Sequence, residues 1–403
     1  MSDQQSPPPL PPTGPPPSQP PPPKDPVLQD EEVRTHALQH ASQATRTYPC
    51  TACGGELLFD IGQQRLRCPH CGNQQDLAEA SGAVQENDLT AAIAGLRSSA
   101  AAQTDTLVSG EKEIVCQNCG GHTTFTGTWT AQRCPFCATP IQRDDVHVAP
   151  QRLKVDGVLP FLVDERAAKE ALTKWVGSRW FAPNEFKDYS RAGSFSSIYT
   201  AYFTYDAQAR TSYRGQRGDD YTVTVGSGDN KRTETRTRWR NVSGQVHNAF
   251  DDVTILANEG LDKNHTTALQ PWPMQQIKPF SPEYIAGHLS RTYDRQVDEC
   301  FTDAQSVMEG EIERTIRQDI GGDHQKVSSK QITWGGLTFK HLLLPIWLLT
   351  VMYDSRPFQV MINGATGKVE GERPYSKVKI IAAVLVAIAL IVLAVVLFGG
   401  GDG

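Results

Sequence analysis

The sequence predicts a multidomain chain: two small zinc ribbons, an α+β domain with antiparallel strands and long helices, and one C-terminal transmembrane helix. Three observations predict it. Paired cysteines recur in the same register in two successive stretches, an ordinary globular composition with strand-like runs begins after Pro150, and an uninterrupted apolar run closes the chain. The length of 403 residues agrees with this division, because a single core seldom grows past about 250 residues.

Residues 1–45 are rich in proline and glutamine and nearly free of large apolar side chains. Such an arm buries too little surface to offset chain entropy and is expected to be disordered. Its PPLPPTGPPP and QPPPPK runs favour polyproline II, which suits a solvated spacer or a ligand for an aromatic groove; the spacer is the expected role. The first residues lack the basic and apolar regions of an export signal. A net charge of -6 excludes a surface that is everywhere an electrostatic trap for nucleic acid, so any basic site is local.

Eight of the nine cysteines fall in four Cys-x-x-Cys pairs, a metal-site pattern in a reducing compartment rather than a disulfide framework. Ribbon 1, residues 46–80, offers Cys50, Cys53, Cys68 and Cys71; ribbon 2, residues 113–148, offers Cys116, Cys119, Cys134 and Cys137. In both, fourteen residues separate the pairs, so the module is duplicated. Each pair presents two thiolates to one tetrahedral ion while its backbone wraps the sulfurs. Two zinc ions are therefore expected, both structural, because four thiolates leave no position for a catalytic water. Gly54, Gly72 and Gly120 suit the left-handed residue that closes a knuckle, and Ala138 departs from that pattern. His70 lies inside a knuckle, but four cysteines already fill the shell. Residues 81–112 read as a linker holding a short helix capped by Asp88.

The α+β domain, residues 149–376, begins with VLPFLV as a strand and Asp164 as the cap of ERAAKEALTKWVGSRWF. SIYTAYFTYDAQ reads as a further strand, and YTVTVGSGDNKRTETRTRWRNVSG as a hairpin turning near Gly226 to Asn230. Ser281-Pro282-Glu283 signals a helix start, and the sequence from Tyr284 to Ile320 is predicted helical, with a break near Gly310 and an end at Gly321 and Gly322. LTFKHLLLPIWLLTVMYD and PFQVMINGATGKVEG close the domain as strands.

Residues 378–398 hold the run IIAAVLVAIALIVLAVVLF, about 28 Å long as a helix against a hydrocarbon core of about 30 Å. It is predicted to cross the membrane. Arg373, Lys377 and Lys379 precede it and no basic residue follows, so the positive-inside rule places the body in the cytoplasm. The expected localisation is the bacterial inner membrane, as a single-pass tail anchor with residues 399–403 outside.

Arg232, Arg236, Arg238 and Arg240 would share one face of a strand, with Trp239 on the other, forming a candidate anion-binding stripe. Arginine-rich strand faces are commonly only solvated or paired with acids, which is the expected state here. Asp319, Asp323, His324 and His341 are acid-base side chains, but no nucleophile elbow, phosphate loop or metalloprotease helix accompanies them. Cys300 reads as a partly buried thiol. No enzyme is expected.

The order of the parts, together with VLPFLVDERAAKEALTKW, FDDVTIL, LQPW, IRQDIGGDHQ, HLLLPIW and INGATGKVEGERPYS, resembles a bacterial family of tail-anchored double zinc-ribbon proteins over roughly residues 48–400. Members are often labelled as similar to the primosomal helicase, primosomal protein N′, or to transcription-factor-type zinc ribbons; that label rests on the cysteines, and this chain carries no helicase motif. Some relatives look to be encoded beside phage-shock protein A and flotillin-like proteins. The resemblance implies an adaptor that recruits such partners to the membrane in envelope stress. The alternative expectation is a membrane-tethered nucleic-acid-binding protein.

Overall fold

Threonine, tyrosine and valine are frequent from Ser194 to Val225, a composition that fits a pleated, half-buried surface. The computed structural model describes residues 45–77, 82–102, 111–115, 122–126, 129–133, 140–143, 153–178, 193–228, 231–259, 261–353, 356–372 and 376–398. It opens with β1 (Thr45–Arg46), β2 (Leu58–Asp60), β3 (Arg65–Arg67), β4 (Gln74–Gln75) and β5 (Asn87–Asp88), then α1 (Leu89–Ala102). Next come β6 (Glu111–Val115), β7 (His122–Thr126), β8 (Trp129–Arg133), β9 (Pro140–Arg143) and β10 (Gly157–Val158), then α2 (Glu165–Gly177). The long elements follow: β11 (Gly193–Val225), β12 (Arg232–Leu256), the short α3 (Lys263–Ala268), β13 (Lys278–Pro279), β14 (Leu289–Arg291) and α4 (Val297–Ile320). The chain then forms β15 (His324–Tyr353), β16 (Arg356–Asn363), β17 (Val369–Gly371) and α5 (Lys377–Phe398).

Twelve of the described strands join one mixed sheet, whose path runs β1-β9-β8-β14-β11-β15-β10-β13, with β12 beside β11 and β5 and β16 beside β15. Its spine is antiparallel. β11 pairs with β12 from Tyr202 opposite Leu256 to Val225 opposite Arg232, and with β15 from Gly193 opposite Val351 to Gly218 opposite His324. At about 3.3 Å per residue these strands reach on the order of 100 Å. The β11–β12 hairpin overhangs the end of β15, and Asp219 to Val225 pair with β12 alone among the described residues.

Helix α4 lies along this spine. Val297, Cys300, Ala304, Met308, Ile312, Ile316 and Ile320 are its buried residues, spaced three or four apart, so they form one apolar stripe. The C-terminal half packs against Ala209, Tyr213 and Val246. At its start, the buried Arg295 guanidinium donates to the Leu256 carbonyl at 2.9 Å, to Asp303 at 2.7 Å and to Glu299 at 3.1 Å. Burial alone would raise the Asp303 carboxyl, but Arg295 and Lys263 hold it below the usual carboxylate range. A depressed folded pKa contributes stability that is present above the unfolded value near 3.9 and is lost as pH falls through the folded value. Thermal melts between about pH 5 and pH 2 should therefore show a steeper acid loss for the native chain than for Asp303→Asn.

The fold class is thus corrected. The described chain is mostly sheet with few helices, not two small zinc ribbons beside an α+β domain with antiparallel strands and long helices. Two causes are visible. The residues from Ser281 to Gln296 do not continue α4, because Leu289 and Ser290 pair with β11 and β8, and the Ala286 carbonyl accepts from Phe59 N–H at 3.0 Å; only Pro282–Ile285 make a 3-10 turn. The second cysteine repeat is not a free-standing module either: β8 pairs with β14 and β9 with β1, so half of it belongs to the main sheet.

The membrane segment is corrected as well. Among the described residues no helix is long and apolar enough to cross a membrane. The transmembrane helix at 378–398, the tail anchor and the single-pass inner-membrane localisation are overturned on that finding. The arm at 1–44, the tail at 399–403 and part of the linker lie outside the described residues.

Candidate metal centre

Both knuckles of the first repeat close by the same pair of backbone bonds. Cys50 N–H donates to the Gly55 carbonyl and Gly54 N–H to the Cys50 carbonyl at 2.5 and 2.8 Å; Cys68 N–H donates to the Asn73 carbonyl and Gly72 N–H to the Cys68 carbonyl at 2.8 and 2.9 Å. Each turn is completed by a glycine in the left-handed region, Gly54 at φ 72° and Gly72 at φ 75°, where a side chain would cost energy. The small sheet β2-β3-β4 holds the knuckles together, and its core is Leu57, Phe59 and Leu66 with Cys50 and Cys68.

The four sulfurs of Cys50, Cys53, Cys68 and Cys71 lie within 4.8 Å of one another. Cys50 Sγ is 3.6 Å from Cys71 Sγ, and Cys53 Sγ is 3.6 Å from Cys68 Sγ. Zinc–sulfur bonds of about 2.3 Å put tetrahedral sulfurs about 3.8 Å apart, so the spacing fits one zinc ion. The thiols are tuned unequally. Burial opposes ionisation of Cys50, but the backbone N–H groups of Ala52 and Cys53, the Asn73 amide and Cys71 bring its thiol down to about 6. The Cys71 backbone leads in lowering Cys68. Although the Gly55 N–H pulls Cys53 down, its hydrogen bonds with Cys71 and Cys68 raise it to about 12. Four adjacent thiols cannot all shed protons without a cation, and a divalent ion supplies the charge that deprotonates the set.

Asn73 and Gly55 are site residues that the cysteine pattern did not mark. The Asn73 amide donates to Cys50 Sγ at 3.6 Å. A Cβ on Gly55 would meet His70 Cδ2 at 2.8 Å and the sulfurs of Cys53 and Cys68 at 3.4 and 3.5 Å. Gly55→Ala is therefore expected to displace the His70 ring and weaken metal retention, read as faster release of zinc to a chromogenic chelator than from the native chain.

No family model matches this chain, and no solved structure matches it. One curated relative does match. YdjG of Bacillus subtilis (strain 168), an uncharacterized protein, is 25% identical over 337 residues, covering 83% of this chain and 92% of that protein.

The remaining predicted positions fall as follows. Cys116, Cys119, Cys134 and Cys137 lie outside the described residues, so one four-cysteine cluster is present among the described residues. The arginine stripe sits on the overhanging hairpin, exposed. Glu234, on the same face, pairs with Arg232 at 2.8 Å and with Arg236 at 3.5 Å, and Asp219 pairs with Arg240 at 3.7 Å. Arg238 lies 5.0 Å over the Tyr221 ring. Trp239 carries Lys326 at 4.1 Å.

The acid-base candidates are dispersed. Asp319 accepts from the Tyr213 hydroxyl at 2.5 Å, and Asp323 accepts from Asp220 N–H at 2.7 Å, while His324 bonds Asp220 at 3.1 Å. His341 is buried far along β15, its Nδ1 facing the Lys154 carbonyl at 3.0 Å. Cys300 is fully buried and burial pushes its thiol up to about 12, an inert state. A second group, Asp206, Asp251 and Asp252, brings its carboxylates within 4.8 Å. There the Lys340 ammonium supplies the cation, at 2.8 Å from Asp252, 3.5 Å from Asp206 and 3.2 Å from Glu86.

The ribbon is docked on the sheet. Phe59 packs on Tyr284 at 5.4 Å and on His288 at 6.2 Å, and the Gln64 amide donates to the Phe161 carbonyl at 2.8 Å. A cleft of about 800 Å³ lies at this junction, with Phe59, Phe195, His288 and Trp347 among its walls. His288 Nδ1 is 2.8 Å from Ser197 Oγ, and its ring is stacked on Phe161 at 4.8 Å, so the imidazole is a packing member of an aromatic cluster.

Proposed function

We propose that this chain is a non-enzymatic zinc-ribbon adaptor that binds protein partners, with two structural zinc ions, one per cysteine repeat. The observation that carries the reading is the combination of a four-cysteine ribbon docked on a sheet with strands on the order of 100 Å long, an architecture that presents surface rather than a closed site. Four sulfurs per ion leave no open coordination position, and Cys300 is buried and protonated. Membership of the bacterial double zinc-ribbon family is part of the same proposal. It names phage-shock protein A-like and flotillin-like proteins as the partners to test. Direct titration of the full chain with each purified partner, by interferometry, is expected to give saturable binding with at least one. Failure of both to bind in metal-loaded protein would remove the adaptor reading.

A second reading has its own observation. Arg238 over Tyr221 and Lys326 over Trp239 place a cation on an exposed ring on each face of the hairpin tip, the pairing of charge and stacking used for single-stranded nucleic acid. Glu234 and Asp219 pair with three of the four stripe arginines and offset part of their charge, which favours the adaptor. A gel shift that steepens at low salt and vanishes when Arg236, Arg238 and Arg240 become alanine would reverse the order.

A further inference from the structure

We propose that Cys53 and Cys71 are sites of reversible oxidation by peroxide, each resolved by the buried cysteine beside it, and that their modification expels the zinc ion. The inference rests on the zinc reading of the first repeat. The four sulfurs are not equivalent: Cys50 and Cys68 are buried in the small core of the ribbon, whereas Cys53 and Cys71 are exposed. Oxidation of a thiolate follows its charge and its access to solvent, and it is reversible where a second cysteine stands ready to close a disulfide. A zinc ion keeps all four sulfurs deprotonated, so exposure decides which of them meets the oxidant first.

Distance gives the resolving partners. Cys71 Sγ is 3.6 Å from Cys50 Sγ, and Cys53 Sγ is 3.6 Å from Cys68 Sγ, so each exposed sulfur has a buried one in the opposite knuckle. Closing either pair to the disulfide length of about 2.05 Å takes a shift of about 1.5 Å. The expected disulfides therefore run across the knuckles, Cys50 to Cys71 and Cys53 to Cys68, rather than within a Cys-x-x-Cys pair. Cys300 is the internal contrast. Its sulfur is fully buried against the Leu256 and Arg295 carbonyls, out of reach of a dissolved oxidant.

The chemistry balances with one hydrogen peroxide per disulfide. The Cys71 thiolate attacks one peroxide oxygen; an S–O bond forms, the O–O bond breaks, and the hydroxide that leaves takes a proton from solvent to become water. The Cys50 thiolate then attacks the sulfenic sulfur. The S–S bond forms, the S–O bond breaks, and a second hydroxide leaves as water. Two thiolates have lost two electrons, one peroxide has become two waters, and two protons have been consumed. Two sulfurs then remain where a structural zinc needs four ligands, and Cys53 with Cys68 follows the same course.

The test treats the full, zinc-loaded chain with limiting hydrogen peroxide and dimedone, which traps sulfenic acids, and maps the adducts by peptide mass spectrometry. A parallel sample without dimedone is read for disulfides and for zinc release to a chromogenic chelator. Adducts are expected on Cys53 and Cys71 and not on Cys50, Cys68 or Cys300. Zinc should leave about tenfold faster or more than with the chelator alone, and the two cross-knuckle disulfides should revert when a thiol reductant and zinc are added. Adducts confined to Cys50 or Cys68, disulfides only within a Cys-x-x-Cys pair, or sulfurs that pass to sulfonic acid without a disulfide would each overturn the proposal. A chain that holds no zinc before peroxide is added overturns the zinc reading together with this inference; zinc that stays bound under peroxide overturns this inference alone.

Discussion

Stripping the metal with a strong chelator is expected to unfold residues 48–76 while the main sheet stays folded. The hydrophobic cluster that holds this module is only Leu57, Phe59 and Leu66 with two cysteines and the docking residue Ala286, too small to order some 30 residues alone. A structural zinc contributes about 10–16 kcal/mol at neutral pH in small sites, which exceeds any contribution from that cluster. Amide exchange should show it: Phe59, Leu66 and Cys68 lose protection, and α4 and β11 keep theirs. The Phe59 N–H bond to the Ala286 carbonyl should open with the ribbon, so that the amide of Phe59 loses protection at the interface itself. Persistence of ribbon protection after complete metal removal would mean that docking on Tyr284 and His288 is sufficient.

The second large effect is expected at Lys340. Its ammonium is mostly buried and is the cation shared by Asp252, Asp206 and Glu86. Burial pushes the Asp206 carboxyl up against the lowering effect of Asp252 N–H and Lys340; the Thr338 hydroxyl and then Lys340 draw Glu86 down. Lys340→Met removes the counter-charge and leaves partly buried carboxylates facing one another, a class of change that costs about 3–5 kcal/mol. Urea unfolding of the variant should show that loss. The loss should shrink as pH falls toward 4, because protonating Asp206 first relieves the repulsion. A variant as stable as the native chain would show that water screens the cluster.

The cysteine positions of the first repeat were legible because two thiolate pairs around one ion demand a fixed spacing, and no other force imposes it. The helix cap at Asp164 was equally plain, and its carboxylate accepts from Ala167 N–H at 2.7 Å. What the sequence concealed is long-range. The stretch from Tyr284 to Thr292 has a helical pattern, yet its backbone groups are taken by Phe59, by β11 and by β8, a tertiary demand that local propensity does not report. The length of β11 was hidden for a related reason. Gly215, Gly218, Asp219 and Asp220 look like strand breakers, but β12 and β15 flank Gly215 and Gly218 on both sides and hold them in the ladder. Lys340 sits in an apolar strand pattern, and nothing in its neighbourhood of sequence marks the three acids that meet it from Glu86, Asp206 and Asp252.

Zinc-edge X-ray absorption on the purified chain tests the metal centre most directly. The geometry predicts a single sulfur shell at about 2.3 Å with four sulfurs per zinc, and the loss of one zinc per chain when Cys50 and Cys68 are both replaced by alanine. A first shell containing nitrogen or oxygen, or a chain that binds no zinc at all, would contradict it.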